Sequence, residues 1–155
     1  DVSNVTSMLQ MFRNASAFSQ NLNSWDVSNV TDMSYMFLYA TSFNGNVSSW
    51  DVSSVTSMFS MFAGPYQGTS VFNQDIGAWD VSNVINMRQM FSSARSFNQD
   101  IGAWNVGNVT TMVGMFSDAV DFNQDLSGWD VSNVTNYSNF AVGATSWILP
   151  KPNFI

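Results

Sequence analysis

The sequence predicts a right-handed α/β solenoid, six repeats of about 25 residues, each a short parallel strand plus a short helix, forming one domain over 1–155. Three observations predict it. The string Asp-Val-Ser, or a close variant, returns every 25 residues, so one unit is copied along the chain. Within each unit apolar residues recur first in steps of three and four, then in a shorter extended pattern. The last unit departs from the pattern as a terminal cap does.

The repeats are 1–25, 26–50, 51–79, 80–104, 105–129 and 130–155, the third lengthened by an insertion at 64–68, Gly64-Pro65-Tyr66-Gln67-Gly68. They share the pattern D-V-S-N-V-T-x-M-x-x-M-F-x-x-A-x-x-F-N-Q-D-[IL]-x-x-W. All ten methionines fall at two positions of it, from Met8 and Met11 through Met112 and Met115. Trp25, Trp50, Trp79, Trp104 and Trp129 share a third position. In the last repeat Tyr137 and Phe140 replace the methionines and Trp147 replaces the phenylalanine, so 130–155 reads as a degenerate C-terminal cap. Residue 1 opens a repeat with no polar cap. The N-terminal coil is therefore expected to continue into more chain or a partner, and the sequence reads as a fragment of a longer chain.

Each element follows from the repeat. Val30, Met33, Met36, Phe37 and Ala40 lie in steps of three and four, one face of a helix of about ten residues, with Ser28 and Asn29 placed as N-caps. A helix so short is marginal alone and needs stacking to hold it. The segment Phe97–Trp104 is too short and polar for a helix. It reads as an extended stretch whose copies pair as a parallel sheet at about 4.8 Å spacing. The strand is expected at Gln-Asp-Ile; the alternative register, Trp-Asp-Val, gives I-x-x-W-x-V, which resembles the leucine-rich pattern L-x-x-L-x-L. One strand and one helix per repeat make a solenoid of leucine-rich-repeat type.

Composition narrows function by exclusion. Histidine, cysteine and glutamate are absent. That removes Ser–His and Cys–His catalysis, ordinary zinc sites and iron–sulfur ligation. Four cations against eleven acids give a net charge of −7, which argues against nucleic-acid binding, since phosphates need clustered Lys and Arg. No apolar run approaches the roughly 20 residues of a membrane span.

Stacking turns each repeat position into a column. Asn44, Asn73, Asn98 and Asn123 form one and Gln20, Gln74, Gln99 and Gln124 another; Asn73, Gln74, Asn98, Gln99, Asn123 and Gln124, with Tyr66 in the insertion, are the expected binding surface. Asp75, Asp100 and Asp125 form a third, continued as neutral residues by Asn21 and Asn46. Carboxylate and amide oxygens suit Ca²⁺, the one candidate cofactor; the favoured reading is that these Asp cap turn amides while Asn and Gln form hydrogen-bonded ladders. A second acidic column, Asp1, Asp26, Asp51, Asp80 and Asp130, again reads as turn and cap residues. Paired Asp would suit a glycosidase, but every repeat presents the same pair without distinct acid and base environments, so no enzyme is expected and no catalytic residue is assigned. Sequons at Asn4, Asn14, Asn29, Asn46, Asn108, Asn133 and Asn136 would accept glycans in a secreted eukaryotic protein.

The string W-D-V-S-N-V-T-x-M-x-x-M-F, followed by A-x-x-F-N-Q-D-I, resembles the BspA-family leucine-rich-repeat surface proteins, in the 25-residue type described from mycoplasma surface lipoproteins. The resemblance covers the whole chain. It implies a solenoid displayed on the cell surface or outside the cell, and some relatives act as adhesins. The expected function is a non-enzymatic module for protein or glycan recognition and adhesion, without a cofactor. The alternative is a structural or linker subunit docked in a larger multi-protein assembly.

Overall fold

The computed structural model describes residues 1–154. Among them there is no α-helix and no extended strand. The expected α/β solenoid of leucine-rich-repeat type, with a strand and a helix in each repeat, is therefore corrected. Coils do stack in the 25-residue register, but each is built almost wholly of β-turns.

The apolar pairs spaced by three explain how. In the second coil Val30 N–H donates to the Val27 carbonyl (2.9 Å), Met36 to Met33 (3.2 Å), Ala40 to Phe37 (3.0 Å), Phe43 to Ala40 (2.9 Å) and Trp50 to Val47 (3.2 Å). Each pair closes a β-turn whose first and fourth residues face inward, and of the residues between them Ser34 and Leu38 are also buried. Steps of three and four thus arise without a helix. The residue before the last in the Met33–Met36 and Phe37–Ala40 turns has positive φ, 59° at Tyr35 and 60° at Tyr39, as type II turns require. A left-handed residue every fourth position prevents helix propagation.

The remaining amides tie coil to coil. Tyr35, Phe37 and Tyr39 donate to the carbonyls of Phe59 (2.7 Å), Met61 (2.9 Å) and Ala63 (3.0 Å) in the next coil. A helix would have spent these donors internally and left stacking to side chains alone. The expected N-caps serve turns instead: Ser28 donates its amide and hydroxyl to Asp26 Oδ1 (3.1 and 2.6 Å), and Asn29 Nδ2 donates to the Ser3 carbonyl (2.8 Å).

Strand-type pairing also falls elsewhere than expected. Single parallel bridges join Ser7, Asp32, Ser57, Asn86, Thr111 and Asn136 in order, at the residue after the threonine column. Neither Gln-Asp-Ile nor Trp-Asp-Val forms a strand. Each bridge is flanked by bonds such as Thr31 N–H to Thr6 carbonyl (2.8 Å) and Met8 N–H to Asp32 carbonyl (2.9 Å). Threonine hydroxyls double the first of these, as from Thr56 to the Thr31 carbonyl (3.1 Å).

The core is a set of continuous columns. Met33, Met36, Met58, Met61, Met87, Met90, Met112 and Met115 are fully buried. Phenylalanine rings stack within a coil, Phe37 on Phe43 at 3.9 Å and Phe91 on Phe97 at 4.1 Å, and between coils, Phe37 on Phe62 at 5.5 Å. Trp50, Trp79, Trp104 and Trp129 are buried, and each indole N–H reaches a carbonyl of the preceding coil at 2.9–3.1 Å. In the last coil Trp147, at the phenylalanine position, makes a different bond to the preceding coil, to the Gln124 carbonyl (2.9 Å). The following segment lies across the coil: Phe154 stacks on Tyr137 at 4.3 Å, and Ile148 and Leu149 amides reach Asn123 Oδ1 at 2.9 and 3.0 Å.

The insertion leaves the third coil at Gly64. A side chain there would collide with the Ser93 carbonyl of the next coil, so glycine is required. A turn closed by Gly68 N–H on the Pro65 carbonyl (2.9 Å) follows and holds Tyr66 out into solvent.

Candidate functional site

The Asn and Gln columns are used within the fold. Asn73 Oδ1 accepts from the Asn98 amide (2.9 Å) and Gln99 Nε2 (2.9 Å). Asn98 Oδ1 does the same for Asn123 and Gln124, both at 2.9 Å. Gln74 Nε2 donates to Asn44 Oδ1 (3.0 Å). These bonds bridge coils where no backbone pairing occurs, so the columns hold the stack together.

The acidic columns act on their own turns. Asp75 and Asp100 accept from the Gly77 and Gly102 amides at 3.0 and 2.9 Å; Asp125 accepts from the Ser127 amide (2.9 Å) and hydroxyl (2.7 Å). Those two donors, the amide first, hold the Asp125 carboxyl below its ordinary range. The serine hydroxyl and then the amide of Ser28, Ser82 and Ser132 do the same for Asp26, Asp80 and Asp130. A carboxylate that accepts such bonds prefers its charged form. Among the described residues no three acidic, histidine or cysteine side chains gather as a metal-binding group. Among the sequons, Asn29, Asn108 and Asn133 are exposed, yet each donates its side-chain amide to the preceding coil, at 2.8, 2.7 and 2.7 Å. Asn4, Asn14 and Asn136 are exposed, and Asn46 is half-buried.

Tyr66 is the predicted residue that enters a cavity. It lines a groove of about 360 Å³ that crosses the second to fifth coils. Tyr35, Tyr39 and Phe59 supply its other aromatic faces, and Ser60, Gln89, Ser92, Ser93 and Asp118 its polar groups. Tyr66 is 75% exposed and Tyr39 41%. Tyr35 packs on Phe59 at 4.5 Å between ring centres. The guanidiniums of Arg13 and Arg88 lie over the Tyr35 and Phe59 rings at 6.0 and 5.5 Å, in cation–π contact. Neither arginine lines the groove. The closed void between Phe37, Phe43, Phe62 and Phe72 is about 10 Å³ and holds at most one water-sized sphere.

Backbone conformation sets the groove apart. Tyr35, Tyr39, Ser60, Gln89, Ser93 and Asp118 all have φ between 51° and 60°. This follows from their turns, each of which holds its third residue in left-handed backbone. Left-handed backbone costs a non-glycine residue about 1–2 kcal/mol, and bulky residues there are outliers. The corresponding turns of the later coils use Gly114, Asn139 and Gly143. Two tyrosines at successive left-handed positions of one coil therefore do not serve the backbone. Sequence reading missed Tyr35, Tyr39, Phe59 and Asp118 because they occupy variable positions of the repeat; the available signal was Tyr35 and Tyr39 where other coils carry Gly, Asn, Gln, Ser or Asp.

Among the described residues no helix is long and apolar enough to cross a membrane. No curated protein and no solved structure matches the chain. One family model matches it twice, over residues 1–67 and 63–148. The family's description carries no leucine-rich repeat, adhesion or surface location, so those expectations gain nothing from it. Matches that together run from residue 1 to 148 make the chain a member of the repeat family described as Mycoplasma protein of unknown function, DUF285.

Proposed function

We propose that the chain is a non-enzymatic binding segment of a cell-surface or secreted protein, and that it recognises a protein or glycan partner through the groove around Tyr66. The observation that supports this most is the pair of left-handed tyrosines, Tyr35 and Tyr39, opposite the one loop that breaks the repeat. Strained residues mark functional sites more often than chance, and aromatic residues at an open groove are the usual anchors of recognition. The extracellular setting rests on the resemblance of the repeat to BspA-family surface proteins. Non-enzymatic action is favoured because the acidic residues serve their own turns in coil after coil.

Cross-linking capture from an extract of the source, run with the natural chain and with Tyr66→Ala, tests the reading. Extracellular proteins or glycoconjugates recovered by the natural chain and lost with Tyr66→Ala would support it. A fixed set of subunits at constant stoichiometry, indifferent to Tyr66, would overturn it in favour of a structural or linker subunit. That second reading draws on the exposed apolar side chains of the first coil, Leu9 at 49% and Met11 at 43%.

A further inference from the structure

We propose that the groove takes a neutral saccharide of one or two rings, stacked on Tyr66 and Tyr39 and hydrogen-bonded by Gln89, Ser92 and Asp118. This deepens the recognition reading and rests on it.

Size comes first. A groove of about 360 Å³ lies at the small end of ligand sites, which run from roughly 300 to 1,000 Å³. A folded protein partner instead needs roughly 800 Å² of surface on each side. Lining chemistry comes second. A pyranose ring presents flat C–H faces and a rim of hydroxyls. The groove offers the matching parts: aromatic faces from Tyr66 and Tyr39, and short polar groups on the opposite coils from Gln89, Ser92 and Asp118. An amide, a hydroxyl and a carboxylate can each hold sugar hydroxyls, the carboxylate as acceptor only.

Charge decides between kinds of sugar. Asp118 is the acid in the lining, Arg13 and Arg88 lie outside it, and the chain carries −7. A sialylated or sulfated sugar would be repelled by Asp118, while Arg13 and Arg88, stacked on the Tyr35 and Phe59 rings, put no cation in the lining itself. A neutral sugar meets no such penalty.

The choice of residues points the same way. Tyr39 holds a left-handed position that asparagine or glycine would fill at less cost, and the residue stays 41% exposed. A ring held out of the core against backbone preference is a platform. Tyr66, 75% exposed, contributes its ring from a loop that no other coil has.

The experiment is an amide-shift NMR titration of the whole chain. The probes are lactose, cellobiose, diacetylchitobiose, sialyllactose, choline and a proline-rich peptide. Variants are Tyr66→Ala, Tyr39→Asn and Asp118→Asn. Tyr66 is solvent-exposed and asparagine tolerates left-handed backbone, so these variants keep the fold. The expected result is saturable shifts with at least one neutral disaccharide, centred on Tyr39, Tyr66, Gln89 and Ser93. Tyr66→Ala should weaken binding about tenfold, one decade of Kd, and sialyllactose should bind less well than lactose. Neutral sugar binding that ignores all three variants would overturn the proposal. So would groove shifts with choline, the peptide or sialyllactose alone, although the recognition reading would then stand. No groove shift with any probe also overturns the saccharide, and the Tyr66-dependent capture then decides the recognition reading separately.

Discussion

Replacing Trp104 by alanine tests the stacked-coil core directly. The indole is 4% exposed, stacks on Trp129 with ring centres 6.4 Å apart, and tilts against Phe91 at 6.3 Å. Its N–H donates to the Ile76 carbonyl at 3.1 Å. Truncating a buried tryptophan costs about 3–5 kcal/mol through lost burial and the cavity left behind. The Ile76 carbonyl keeps the Trp79 backbone N–H as a donor (3.1 Å), so losing the indole leaves no unmet acceptor and the cost is that of burial and cavity. Domain stabilities lie near 5–15 kcal/mol, so the variant should sit close to unfolding. Trp25 provides an internal control. It occupies the same repeat position but is only half-buried in the first coil, and Trp25→Ala should cost about 1–2 kcal/mol. Urea unfolding followed by far-UV circular dichroism measures both. A loss below about 1 kcal/mol at Trp104, or equal losses at the two positions, would refute the buried indole column.

Three further outcomes follow from the same geometry. Gln10→Gly at an exposed left-handed residue (φ 62°) should raise stability by about 0.5–1 kcal/mol, because relief of about 1–2 kcal/mol exceeds the added freedom of the unfolded chain; a loss of stability in urea melts would refute the turn assignment. Gly45→Ala should destabilise by about 1–3 kcal/mol, since a β-carbon there would strike the Gln20 carbonyl oxygen of the preceding coil; an unchanged midpoint would mean the coils lie further apart. Asp26, Asp80, Asp125 and Asp130 have carboxyls held below their ordinary value of 3.8, so their stabilisation is complete above that value and disappears as pH falls through the lowered folded ones. Thermal melts should therefore be level from neutrality to about pH 5 and fall below the ordinary value, less steeply in Ser28→Ala; melts that strengthen with acid would reverse the sign.

What the sequence made legible is the set of inward residues. Met33, Met36, Phe37, Ala40 and Trp50 are apolar positions of one repeat, and all are buried. Their backbone was not legible. Spacing of three and four places residues on one side of a helix, but V-x-x-V, M-x-x-M and F-x-x-A place them equally well at the two ends of successive β-turns. The residues that separate the cases lie between the apolar ones. Gly114, Asn139 and Gly143 suit positive φ, whereas Tyr35, Gln89 and Ser93 hide the same conformation behind ordinary side chains. Hydrogen bonding then settles the matter. A short helix would close its amides on itself, whereas turns leave every second amide free for the next coil, as Tyr35, Phe37 and Tyr39 show. In a chain with few charges and six copies of one unit, links between coils contribute more than local helix formation can.

The site follows from the same logic. Columns repeated in coil after coil, such as Asn73, Asn98 and Asn123, must do the same thing each time, and what every coil needs is a bond to its neighbour. A recognition site needs the opposite, a place where the copies differ. Two features supply that difference: the insertion that carries Tyr66, and the left-handed turn positions that are exposed, as at Tyr39. At those positions the architecture fixes the backbone and leaves the side chain open to selection. Tyr39 there has a neighbour of opposite character three coils on, since Asp118 occupies the equivalent turn of the fifth coil. The groove between them is thus aromatic at one end and acidic at the other, and a ligand must match both within one span of stacked coils.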